Sequence, residues 1–150
     1  QVCHKWSEDE IRGRVEGMQT SHLQMLAAVE ETITKLHLEI GDATKLGVGD
    51  ADLEKSRNLV SKAQMYWDYV AANNGMGFHA PQETARVLNK ALKFAAEGRL
   101  EIQMVRAKKG ALNPIELPDY STKELAQAFI KPFVDAQKAK AAEPKKVAAK

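Results

Sequence analysis

A single cysteine in 150 residues rules out any disulfide within the chain. Aromatic residues make up only 6% of the sequence and β-branched residues rarely cluster, so there is little from which to build a sheet. No apolar run approaches the roughly 20 residues that a membrane-spanning helix needs. The sequence has no Cys-x-x-Cys pair, no glycine-rich loop ending in Lys-Ser/Thr and no G-x-S-x-G, which sets aside zinc ribbons, P-loop enzymes and α/β-hydrolases. It also has no Glu-x-x-His, so helices here cannot carry the ligand set of a di-iron carboxylate centre. The net charge is only +2, and the excess comes largely from Lys138, Lys140, Lys145, Lys146 and Lys150 near the end. So weak and local an excess gives no nucleic-acid face.

What is present is helical patterning. Ser7 followed three residues later by Glu10 is a capping box, with an acidic run at the positive end of the helix dipole. Ile11, Val15, Met18, His22, Met25 or Leu26, Val29, Ile33, Leu36 and Ile40 then step by three or four. A stripe of that length predicts a bundle or a seam between two copies. Gly13 and Gly17 add a G-x-x-x-G spacing that allows a close neighbour. After a glycine-punctuated link, Asp50 is expected to cap a second helix with Leu53, Val60, Ala63, Trp67 and Val70 inward, interrupted by Ser56 and Arg57. Pro81 to Lys109 reads as a third helix, with a close crossing expected at Gly98 and a stop at Gly110. Ser121 to Glu124 reads as a second capping box, opening a short helix that Pro132 should kink. The fold class expected is all-α: a bundle of about four long antiparallel helices over residues 1–137, with a flexible Lys/Ala-rich tail over 138–150.

The chemistry concentrates in two places. Between the second and third helices, Asn74-Gly75 is a helix stop, Gly77 keeps the chain pliable and Pro81 suits the first position of the next helix. His79 is thereby mounted on a short connection between two rigid elements; locally it reads as a surface residue or as a ligand to something large and flat. Trp67 and Tyr69 stand at the nearby helix end, as core residues or as rings for a flat cofactor to pack against. The second place is the start. Covalent haem attachment uses Cys-x-x-Cys-His, and Gln1-Val2-Cys3-His4 would be its last four residues. The alternative is an incidental Cys-His pair. An opening of this kind is expected of a segment of a longer protein. His22, inside the apolar stripe, reads as a packed, hydrogen-bonded core histidine in preference to a metal ligand.

Taken together, Tyr66-Trp67-Asp68-Tyr69-Val70-Ala71-Ala72-Asn73, Gly77-Phe78-His79-Ala80-Pro81-Gln82-Glu83 and Arg86-Val87-Leu88 resemble the C-terminal helical part of the ammonia-forming, pentahaem cytochrome c nitrite reductases. The truncated Cys3-His4 fits that family, whose last haem motif immediately precedes the long-helix region. The resemblance implies a periplasmic multihaem enzyme that reduces nitrite to ammonium by six electrons. It implies that Cys3 is the second thioether cysteine of the last haem and His4 its proximal iron ligand. It makes His79 the distal iron ligand of a neighbouring haem, one that carries electrons and binds no substrate. The family's catalytic haem residues and its calcium site lie upstream, so no catalytic residue and no calcium ligand is assigned to this segment. The resemblance further implies haem c as cofactor, a homodimer through the long helices, and electrons from a quinol-oxidising multihaem cytochrome at the membrane. The competing reading is a non-catalytic helical interaction module without haem, whose stripe is a partner seam and whose histidines are incidental.

Overall fold

The computed structural model describes residues 5–142, with side chains to residue 139. Among the described residues all regular structure is helical: α1 (Glu8–Lys45), α2 (Asp50–Ala71), α3 (Pro81–Lys108) and α4 (Lys123–Ala142). The chain divides into two compact units, Gln1–Ile115 and Glu116–Lys150. The first is a three-helix bundle.

Ser7 starts α1 as expected. Its hydroxyl accepts from the Glu10 backbone N–H at 3.3 Å, and Glu8, Asp9 and Glu10 fill the first turn. The Glu10 carboxylate does not return to the cap; it pairs with Arg14 at 3.0 Å, one turn on. Helix α1 has 38 residues, roughly 57 Å at 1.5 Å per residue. Helix α2 has 22, roughly 33 Å. The N-terminal turns of α1 therefore have no α2 residue to face. The apolar stripe shows it: Val29, Ile33 and Leu36 are buried, whereas Met18 is 40% exposed.

Helix α2 returns antiparallel to α1, and its Trp67 indole donates to the Leu26 carbonyl at 3.1 Å. The α2 start corrects the sequence reading by one residue. Gly49 is the cap, in extended conformation and with no side-chain hydrogen bond. Asp50 already lies in the first turn, where its carboxylate pairs with Arg57 at 2.7 Å. Ser56 is not an interruption of the buried face but part of it: its hydroxyl donates to the Gly98 carbonyl at 3.3 Å. Helix α3 runs antiparallel to α2 and parallel to α1. A Cβ at Gly98 would lie 2.6 Å from Leu36 Cδ2 and 3.2 Å from Leu59 Cβ, so the three helices meet where α3 has no side chain.

The lower half of the α1–α3 contact is ionic. Glu39, 1% exposed, receives Arg99 through both Nε (3.2 and 3.1 Å) and Nη2 (2.8 Å), with the Gln103 amide at 3.0 Å. Buried Arg106 reaches Asp42 at 2.9 Å and the Asn113 carbonyl at 3.1 Å. Gly110, at φ 82°, turns the chain out of α3.

In the second unit, the cap of α4 is Thr122, whose hydroxyl accepts from the Leu125 N–H at 3.3 Å, while the Ser121 N–H donates to Asp119 at 2.9 Å. The helix runs through Pro132 and past Lys138 to Ala142, so the segment expected as tail begins inside α4. Phe129 and Phe133 pack ring to ring at 5.5 Å.

Candidate functional site

The connection from α2 to α3 is built from left-handed backbone. Helix α2 ends at Ala71, and the Ala72 and Asn73 N–H groups close its last turn on Asp68 and Val70. Gly75 (φ 84°), Met76 (φ 48°) and Gly77 (φ 78°) then follow in succession. Three such residues in a row reverse the chain within a few ångströms, which two glycines permit without steric cost. Met76 is the only non-glycine at positive φ among the described residues. The Phe78 N–H donates to the Gly75 carbonyl at 2.9 Å and closes the turn. Pro81 opens α3, as its missing N–H allows.

This turn holds two imidazoles, one on each side. His79 folds back over Gly75: a Cβ there would lie 2.9 Å from His79 Cδ2 and 3.3 Å from Nε2. The Phe78 ring meets the His79 ring edge-on at 5.5 Å. His79 itself is exposed, and with Tyr69, Asn73 and Glu83 it lines a shallow cavity of about 190 Å³. On the other side stands His22 of α1. It is 4% exposed, and its Nδ1 is buried without a hydrogen-bond partner. A Cβ at Gly77 would lie 2.6 Å from that nitrogen. Burial lowers the His22 pKa below its ordinary 6.5. The sequence reading of His22 as a packed core residue agrees with its burial, but the hydrogen bond expected there is missing.

Trp67 is half-buried with its indole N–H satisfied, a packing residue. Tyr69 is 63% exposed and stays beside His79. Cys3 and His4 lie outside the described residues. Among the described residues no three or more His, Cys, Asp and Glu side chains gather as a metal-ion site, and no helix is long and apolar enough to cross a membrane. Sequence reasoning missed the Glu39–Arg99 and Asp42–Arg106 pairs that fix the α1–α3 register. The signal was available: Glu39 falls three residues after Leu36, on the inward face, where a carboxylate needs a cation.

Comparison with known proteins adds the class. The "Cytochrome c-552" of Porphyromonas gingivalis is 37% identical over 130 residues, covering 87% of this chain and 26% of that protein. Those of Maridesulfovibrio salexigens (38% over 126 residues) and Desulfotalea psychrophila (35% over 128) each cover about the same share of this chain and 25% of their own length. The chain thus spans about a quarter of the length of the curated relatives it matches. The class is that of the c-type cytochromes, electron carriers whose cofactor is haem c. The match to the cytochrome c552 family profile runs over residues 1–150, and the chain belongs to that family.

The described residues suit such a cofactor. An exposed imidazole, His79, stands on a glycine cradle, and a buried histidine, His22, lines the groove on the other side of the turn.

Proposed function

We propose that this chain is the electron-transfer and dimerisation segment of an ammonia-forming cytochrome c nitrite reductase. The observation that carries the reading is His79, presented on a left-handed turn between two rigid helices, in a chain of the cytochrome c552 family. Haem c supplies one-electron redox chemistry when bound. The residues that would hold it are Cys3, as a thioether, His4, as proximal ligand of the same haem, and His79, as distal ligand of a neighbouring one. An iron with two imidazole ligands has no open position, so His79 serves electron transfer and not nitrite binding.

The chain's own contribution is positional. Gly75 lets the imidazole approach the backbone closely, and the edge-on Phe78 ring packs beside it. Helices α2 and α3 anchor the turn at both ends, so little conformational freedom is lost on ligation. The catalytic haem, its open-face residues and a calcium site belong to upstream parts of the whole enzyme in this reading. In the same reading the whole enzyme is periplasmic, takes electrons from a quinol-oxidising multihaem cytochrome at the membrane and has nitrite as its substrate. The uncovered N-terminal turns of α1 support a homodimer through the long helices: their length outruns α2, and Met18 and Leu23 stand exposed along them.

The test is His79→Ala in the whole enzyme. The nitrite-binding haem should keep its spectrum, while one low-spin haem changes its spectrum and potential. Low-spin spectra and potentials identical to the parent's would overturn the ligand assignment.

A further inference from the structure

The inference concerns the groove on the opposite side of the turn from His79. It has a volume of about 490 Å³, within the roughly 300–1,000 Å³ common for cofactor sites. One wall is the first half of α1, where Gly13 and Gly17 offer bare backbone: a Cβ at either would meet nothing within 4 Å. Met18 and Met25 supply soft apolar contact, and Gly77 and Pro81 form the far wall. With Arg14 and Ser21 also lining it, a largely apolar groove of this kind accepts the face of a macrocycle and a charged edge.

His22 lines this groove and, at 4% exposed, is more deeply buried than the other buried polar side chain there, Thr84 at 9%. Its chemistry follows from Gly77. The glycine hydrogen that takes the place of a Cβ is directed at Nδ1, because a Cβ in that position would be 2.6 Å away. A proton on Nδ1 would collide with it. Nδ1 therefore carries the lone pair, and in the neutral ring the proton sits on Nε2. That arrangement argues against iron ligation, in which the metal takes one nitrogen and the other donates to a carbonyl or carboxylate. No such acceptor stands at Nδ1. It leaves Nε2–H as a donor with no partner among the described residues.

We infer that the α1–turn groove seats one haem c of the parent cytochrome, with the His22 Nε2–H donating a hydrogen bond to a haem carboxylate. Haem combines an apolar plane with carboxylate groups at one edge, matching bare glycines beside an imidazole donor. His22 is thus a positioning residue that tunes a haem without touching its iron. The inference rests on the reading of this chain as part of a haem c protein, but not on the ligand role of His79.

The experiment uses the whole haem-loaded cytochrome and three variants: His22→Phe, which keeps the ring and removes the donor; His22→Gln, which keeps a donor; and Gly17→Leu, which fills the groove. Potentials of the individual haems are read by spectroelectrochemistry, and carboxylate bending modes by resonance Raman. With the donor gone, the carboxylate charge is less compensated. The oxidised form of one haem should then gain about tenfold over the reduced form, which is 59 mV for one electron. His22→Gln should restore most of the shift, and Gly17→Leu should perturb the same haem. If His22→Phe folds poorly, Gly17→Leu decides alone, since its site is open space in the chain. Potentials and Raman modes unchanged in Gly17→Leu, and in His22→Phe if it folds, would overturn the inference. A whole protein that binds no haem would instead overturn the cytochrome reading itself.

Discussion

Gly77 and His22 are held against one another with no room for a side chain at residue 77. Gly77→Ala adds a methyl group 2.6 Å from the His22 ring and places alanine at φ 78°. Left-handed backbone alone costs an L-residue roughly 1–2 kcal/mol, so urea unfolding should show a loss of at least that size. Gly13→Ala meets neither obstacle and lies within α1, so the same assay should show a gain of up to about 1 kcal/mol. His22 also sets a pH dependence in the haem-free chain. Its folded pKa lies below the 6.5 of an ordinary histidine. The unfolded chain therefore binds a proton that the folded chain resists, and stability falls as the pH drops through about 6.5 toward the folded value. Burial lowers the His37 pKa too, so denaturation midpoints between pH 8 and 5 should show that fall, and His22→Phe should reduce it and leave the His37 share. The sequence marked His22 as a core residue because it sits in the apolar stripe. It could not show the missing hydrogen bond, because Gly77 lies 55 positions away and its approach depends on the turn.

At the scale of elements, the helices were legible because each carries a long apolar period and a start or stop residue. Ser7, Pro81 and Gly110 act where the pattern placed them. Ser56 and Asp50 were read wrongly for physical reasons. A serine hydroxyl can be buried when a carbonyl faces it, and here Gly98 exposes one. The aspartate had a better partner in Arg57 than the helix end. The polar register between α1 and α3 makes an asymmetric prediction. Arg99→Met strands the buried Glu39 carboxylate and should cost about 3–5 kcal/mol. The double variant Glu39→Met/Arg99→Met should be markedly more stable than that single change, as a double-mutant cycle by urea unfolding would show. At the crossing, Gly98→Ala gains helix propensity of about 1 kcal/mol but drives a methyl group into Leu36. Overpacking of roughly 1–3 kcal/mol should win, giving a net loss in thermal unfolding.

For the whole molecule, the bundle could be read from the sequence more fully than its function. The long stripe predicted a bundle or a seam between two copies, and the packing of α1 with α2 and α3 supplies the bundle. The iron-ligand assignments were not legible from spacing alone, since Cys3 and His4 form half of an attachment motif and His79 is a single loop histidine. The proposed homodimer makes its own prediction: the melting temperature of the purified chain should rise with protein concentration, and sedimentation should show a species of twice the 16.6 kDa chain mass. A concentration-independent melting temperature with monomeric sedimentation would remove the dimer from the reading.

The parallel course of α1 and α3 bears on how the chain is made. Glu39 finds its arginine 60 positions downstream. Synthesis proceeds at roughly 5–20 residues per second, so Glu39 is made about 3–12 s before its ionic partner exists. The α2–α3 hairpin closes over much shorter separations and should form first once α3 has emerged. During that interval the most apolar face of the longest helix is uncovered, and the nascent chain is at its most vulnerable to wrong partners.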